Sequence, residues 1–177
     1  MINSDTDLES GFMPICWMSN GQADYSIPPI CNNPEEIIFP RSRLPLRVYS
    51  AYRDHNLISA IEWVNQSLAC NVFQFDGAAL HPDVRVYLAV ALPPPGRVVG
   101  ITAHWRLTDG TVAAQITTFM MNSDWSIQYT LQHELLHSIG LSHDDFELSI
   151  MWPYARTTTR YVLTTHDTRI LRERYCL

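Results

Sequence analysis

The residues with the clearest chemical meaning lie between His133 and His143, where the sequence has the pattern HExxHxxGxxH. Residues four positions apart lie on one face of a helix, so His133 and His137 can direct both imidazoles at one ion. Gly140 lets the chain leave the helix in a conformation that costs a larger residue more, and this turn can bring His143 back as a third ligand. Three neutral imidazoles leave zinc one open position for water. The spacing therefore predicts one catalytic zinc ion.

Glu134 lies beside the first histidine but at a different angle around the helix, so it can reach a water on the metal rather than the metal itself. Zinc lowers the pKa of such a water from about 16 to about 7. Glu134 would take a proton as the water attacks an amide carbonyl, and would then pass it to the leaving amine. The alternative is an ordinary helix with core or surface histidines. Five matched positions at fixed spacing make that alternative the weaker interpretation.

A second feature is Met151, which lies eight residues after His143 within residues 149–154. A methionine in this position predicts a Met-turn, a tight turn that places an apolar thioether beneath the metal site. A lone methionine is more often part of a hydrophobic core. Its distance from the histidine motif favours the Met-turn.

With both motifs, the chain resembles the metzincin metallopeptidases. Among them it looks most like the matrixins, the matrix metalloproteinase group and its microbial relatives. Residues 149–154 are similar to the Ser-Leu-Met-Tyr-Pro turn of matrixins, and residues 163–175 follow the spacing of their last helix. Residues 100–105, Gly-Ile-Thr-Ala-His-Trp, resemble their edge strand. The resemblance covers about residues 43–177 and implies a zinc metalloendopeptidase.

The resemblance also implies how a substrate binds. An extended peptide would pair with the edge strand near Gly100 and Ala103 through main-chain hydrogen bonds. Trp152, Pro153 and Tyr154 would line the primed-side pocket, with plain core packing as the alternative for this apolar cluster.

The same resemblance bears on two further residues. His104 matches one ligand of the structural zinc of matrix metalloproteinases, but a hydrogen-bonded strand histidine is the favoured interpretation. Cys31 and the residues after it are similar to the matrixin pro-segment, in which a thiolate occupies the open zinc position. A disulfide or a buried thiol is the favoured alternative for Cys31, because the chain has four cysteines. These would form two disulfides in an oxidising compartment or stay reduced elsewhere. Calcium is an additional candidate ion that no sequence feature supports.

The elements that must position these residues follow one another as strand, helix, three strands, helix, loop and helix. Asp54 is the expected cap of the first helix, and Asp109-Gly110 predicts a hairpin between two of the strands. The strands are expected at 44–50, 84–90, 98–107 and 111–120, and the later helices at about 126–139 and 165–175. The expected fold is α+β and zincin-like, with a mixed twisted sheet, three helices, and a zinc cleft between an upper and a small lower subdomain.

Composition sets outer limits on these interpretations. The chain has 177 residues, of which 46% are hydrophobic and 17% are charged, and a net charge of −6, as expected for one globular domain. We expect an irregular segment at 1–42 and a catalytic domain at 43–177. Nucleic acid and membrane surfaces are not expected partners, and a monomer is expected. The first residues lack the basic start and apolar run expected of a signal peptide, and the sequence has no 18-residue apolar stretch. Localisation therefore stays open, with export implied only if a signal peptide has been removed.

Three functions therefore remain under comparison. The first is an endopeptidase acting on extended polypeptides through a zinc-activated water and Glu134. The second is a zinc-binding protein of the same fold with a structural or binding role and little turnover. The third is a hydrolase of non-protein amides. The first is favoured because Glu134 and all three histidines are present.

Overall fold

The computed structural model describes residues 12–18, 38–51, 54–89, 100–106, 112–119, 124–153 and 161–177. Within them the chain forms six strands and three α-helices. The strands are β1 (Phe12–Met18), β2 (Leu46–Ser50), β3 (Phe73–Phe75), β4 (Val84–Ala89), β5 (Gly100–Arg106) and β6 (Val112–Phe119). The helices are α1 (His55–Leu68), α2 (Asp124–Ser138) and α3 (Thr165–Tyr175).

The strands form one sheet in the order β1-β5-β6-β4-β2-β3. The β5–β6 pair is antiparallel, and the other four pairs are parallel. The sheet is therefore mixed, and with the three helices it confirms the predicted α+β class. Helix α2 packs on β5 and β6 and also against α1, which places the histidine motif beside the β1–β5 end of the sheet.

Two expectations about this end of the sheet are wrong. Residues 1–42 were expected to be irregular, yet β1 lies within them and pairs in parallel with β5 along its whole length. As a result, β5 is not an edge strand. Pro14 lies within β1, and a residue without an N–H group is tolerated there because β1 is an edge strand.

The two helices that flank α2 begin at side-chain caps. The carboxylate of Asp54 accepts a hydrogen bond from the main-chain N of Asn56 at 2.9 Å, which confirms its expected role at the start of α1. The hydroxyl of Thr164 accepts from the main-chain N of Asp167 at 3.1 Å at the start of α3. The inward face of α1 packs into the core through Leu57, Ala60, Ile61, Val64 and Leu68.

A disulfide joins Cys70, just after α1, to Cys176, just after α3. It connects elements 106 residues apart and holds the last helix on the body of the domain. This pairing contradicts the alternative of four reduced thiols, while Cys31 lies outside the described residues. Among the described helices, none is long and apolar enough to span a membrane.

Candidate metal centre

Helix α2 and the turn after it bring the three motif histidines together. Gly140 has a φ of 88°, in the left-handed region, and the main-chain N of Leu141 donates to the carbonyl of Leu136 at 3.1 Å as the chain reverses. The ring centroids of the histidines are 4.5, 4.8 and 5.4 Å apart for the pairs His133–His137, His137–His143 and His133–His143. One ligand atom from each lies within 4.8 Å of the other two.

The orientation of two of these rings is set by main-chain carbonyls. Nδ1 of His133 donates to the carbonyl of Ile150 at 2.6 Å, and Nδ1 of His137 donates to the carbonyl of Leu141 at 2.7 Å. A carbonyl only accepts, so each ring carries its proton on Nδ1 and keeps an Nε2 lone pair. Nε2 of His137 is buried and has no hydrogen-bond partner among the described residues, which is what a metal ligand requires.

Burial keeps the imidazoles of His133 and His137 neutral. Together with a smaller contribution from the neighbouring His143, it lowers the pKa of His137 to about 3. Burial also lowers the pKa of His133 well below its ordinary value, with contributions from the other two rings. Zinc binds neutral imidazole, so the chemistry of this donor set fits the metal that the sequence predicts.

Glu134 is fully buried on the side of α2 that faces β5. The hydroxyl of Thr102 hydrogen-bonds to its Oε2 and lies 3.0 Å from its main-chain carbonyl oxygen. Burial raises the pKa of Glu134 to about 8, and the bond from Thr102 opposes the shift. The other carboxyl oxygen, Oε1, is buried and has no hydrogen-bond partner among the described residues.

Gly100 leaves the space that this carboxyl occupies. A Cβ atom there would lie 2.6 Å from Oε1 and 2.9 Å from Cγ of Glu134, and 2.7 Å from Cγ2 of Thr130. A real Cβ atom essentially never approaches a non-bonded atom this closely, so any side chain at this position must displace Glu134 or the helix.

Met151 lies in a tight turn, directly after the residue whose carbonyl accepts from His133, and is fully buried. The hydroxyl of Ser149 accepts from the main-chain N of Met151 at 3.0 Å, and the main-chain N of Trp152 donates to the carbonyl of Ser149 at 3.1 Å. The main-chain N of Asp144 donates to the carbonyl of Met151 at 3.0 Å. The turn is thereby joined to the residue next to His143.

The remaining predicted site residues are distributed as follows. Gly100 contacts the site, and Ala103 lies buried on the same strand, which β1 covers on its outer side. Trp152 and Pro153 follow the turn and are partly buried. Tyr154 and Cys31 lie outside the described residues, so their roles stay predictions.

His104 is a buried strand histidine whose Nε2 donates to the carbonyl of Ser138 at 3.1 Å, at the end of α2. Burial lowers its pKa to about 4. This contact agrees with the interpretation of His104 as a hydrogen-bonded strand residue.

Sequence reasoning missed Thr102 as a contact of Glu134. The signal was present, because Gly100, Thr102 and His104 alternate along a strand and must share one face. The main-chain carbonyls that orient the histidines had no sequence signal.

Comparison with known proteins agrees with this geometry. The family model described as Matrixin matches residues 49–176. Among solved structures, that of myroilysin is similar over 97% of this chain and 93% of its own, with a TM-score of 0.51 and 12% sequence identity, which shows a shared fold. No curated protein matches the chain significantly. Because the family model covers most of the chain and the three histidines fit a zinc site, the chain belongs to the matrixin family of zinc metallopeptidases.

Proposed function

We propose that this matrixin is an endopeptidase that hydrolyses peptide bonds of extended polypeptides, with Glu134 as the general base and acid. The observation that carries the proposal is that the structure contains all the side chains that the reaction needs, three zinc-binding histidines and a carboxyl, on α2 and the turn after it. Three imidazoles converge on a common point, and a buried carboxyl follows the first of them on the same helix.

The roles of the protein groups follow from their contacts. His133, His137 and His143 would hold zinc, which supplies Lewis acidity that polarises a carbonyl and makes water more acidic. Glu134 takes a proton from the attacking water as the new C–O bond forms. It then gives this proton to the amide nitrogen as the C–N bond breaks, so the Glu134 carboxylate is restored at the end of each cycle.

Substrate pairing with β5 is the second part of the proposal. In the full chain β1 occupies the outer side of β5, from the Phe12–Gly100 pair to the Met18–Arg106 pair. A substrate strand can therefore use the main-chain groups of Gly100 and Ala103 only by replacing β1. Trp152 and Pro153, directly after the buried Met151, remain the proposed apolar wall of the substrate pocket.

A quenched mixed-peptide library tests this function with purified, zinc-loaded protein. The wild type and Glu173→Gln, which alters an exposed glutamate of α3, should cleave peptides at internal bonds. Glu134→Gln should be slower by about 10²–10⁴-fold with its zinc content unchanged. A wild type that holds zinc but cleaves no peptide would favour the binding or structural alternative, and equal cleavage by Glu134→Gln would reject the assigned base.

A further inference from the structure

The contact between β5 and α2 contains a side chain that the proposed chemistry has not yet used. Thr102 is fully buried, and its hydroxyl reaches both the carboxyl and the main-chain carbonyl of Glu134. Gly100 lies two residues earlier on the same face of β5, and the Glu134 side chain packs against its backbone. Strand β5 therefore contacts Glu134 through the hydroxyl of Thr102 and through the backbone of Gly100.

A proton-transferring carboxyl must be held in one orientation. The glutamate side chain has three rotatable bonds, and a misplacement of about 1 Å at a reacting group can cost about 10²-fold in rate. A buried carboxyl also needs a hydrogen-bond partner, since burial without one is costly. Among the described contacts of the Glu134 carboxyl, the Thr102 hydroxyl is the one hydrogen bond.

The hydroxyl group suits this contact chemically. It both donates and accepts, so it can bond to a carboxyl with or without a proton on Oε2. Its second neighbour, the main-chain carbonyl of Glu134 at 3.0 Å, can accept the hydroxyl proton when the carboxyl does not. An apolar side chain of the same shape would keep the packing and lose both bonds.

We propose that Thr102 is a positioning residue for Glu134: its hydroxyl holds Oε2 against β5 and leaves Oε1 as the oxygen that exchanges protons. The inference rests on the proposed role of Glu134 in proton transfer. Thr102 itself touches neither substrate nor metal in this account, so its effect on the rate passes through the orientation of the carboxyl.

Three variants separate this role from a contribution to packing. Thr102→Val removes the hydroxyl and keeps the shape, and Thr102→Ser keeps the hydroxyl. Thr118→Val is the matched control, because Thr118 is a buried threonine of the adjacent strand β6 and pairs in register with Gly100. Each protein is measured for zinc content, for kcat and KM on a cleaved peptide, and for the Glu134 conformation in a crystal structure.

The expected result is a loss confined to kcat in one variant. Thr102→Val should lower kcat by about 10- to 100-fold, with KM changed less than about threefold and zinc retained. Thr102→Ser should restore kcat to within about threefold of the wild type, and Thr118→Val should stay near the wild type. In the crystal structures the Glu134 carboxyl should move in Thr102→Val and stay in place in Thr102→Ser.

Several outcomes would overturn the proposal. These are an unchanged kcat in Thr102→Val, an equal loss in Thr102→Ser, or a carboxyl that keeps its position without the hydroxyl. If the wild type cleaves no peptide, the proposed function fails, yet the crystal structures still decide whether Thr102 holds the carboxyl. If Thr102→Val does not fold, Thr102→Ala supplies the variant without the hydroxyl for the same comparison.

Discussion

The active-site helix is held by different kinds of groups on its two sides. Towards the loop that follows α2, main-chain carbonyls of Leu141 and Ile150 accept hydrogen bonds from the zinc-site histidines. Towards β5, the side chain of Thr102 hydrogen-bonds to the Glu134 carboxyl. Gly100, which has no side chain, leaves room for that carboxyl.

From this difference we expect metal binding and turnover to respond differently to substitution. A carbonyl is present whatever residue carries it, so substitution of Leu141 or Ile150 leaves the acceptor of each histidine in place. The contacts of Glu134 are side-chain properties, and a single substitution removes either of them. We therefore expect substitutions on β5 to lower turnover while the protein keeps its zinc, and substitutions of the histidines to lower both.

The largest effect on the loop side is expected from His137→Ala. Loss of a group that merely orients a ligand costs about 10–100-fold in metal affinity, and loss of a ligand should cost more. The variant should fail to retain zinc through gel filtration and should lose peptide cleavage. His166→Ala, at an exposed histidine of α3, is the control and should keep both. Full zinc occupancy in His137→Ala would break the assignment of this ligand.

The pH dependence of stability gives a second comparison, through His104 on the β5 side. Its pKa is about 4 in the folded chain and about 6.5 when unfolded, so it is neutral in both states near pH 7. As the pH falls below about 6.5, the unfolded chain takes up a proton that the folded chain does not. The free energy of unfolding should then fall by about 3 kcal/mol by pH 4 from this residue.

Urea unfolding of the zinc-free protein between pH 7 and pH 4 measures this effect. His104→Gln should lose less stability over that range than the wild type does, whereas His81→Gln, at an exposed position, should follow the wild type. Parallel curves for the wild type and His104→Gln would show that His104 does not carry the effect.

A smaller effect is expected at the bare position of β5. In Gly100→Ala the new Cβ meets the Glu134 carboxyl, so kcat should fall by about tenfold as the carboxyl shifts, while the zinc content stays constant. Gly77→Ala is the control, because the nearest atom to its new Cβ would be in the ring of Phe75, 3.3 Å away. Loss of zinc together with activity in Gly100→Ala would contradict the separation between the two sides of α2.

The sequence was most informative where the chemistry is local. The helix with the histidine motif was expected at about 126–139 and is found at Asp124–Ser138, and the last helix lies where its spacing placed it. The turn at Gly140 was predictable because the motif requires the chain to reverse within a few residues. The cap at Asp54 was also predictable, because the main-chain N–H group that it binds is only two residues away.

Long-range pairing accounts for most of what the sequence did not show. β1 pairs with a strand that begins 88 residues later, and no local pattern identifies that partner. The disulfide likewise joins Cys70 to Cys176, a choice among several pairings of four cysteines. Thr102 had a local signal in the alternation of β5, but its partner on α2 depends on how the helix lies on the sheet.

A crystal structure of the zinc-loaded wild-type protein tests the central claim most directly. The account predicts one zinc ion bound by Nε2 of His133, His137 and His143 at about 2.0–2.1 Å. The Nδ1 atoms of His133 and His137 should remain bonded to the carbonyls of Ile150 and Leu141, and Glu134 should lie outside the ligand set. A structure in zinc-replete buffer with His143 turned away from the other two histidines, or with Glu134 bound to the metal, would contradict the account.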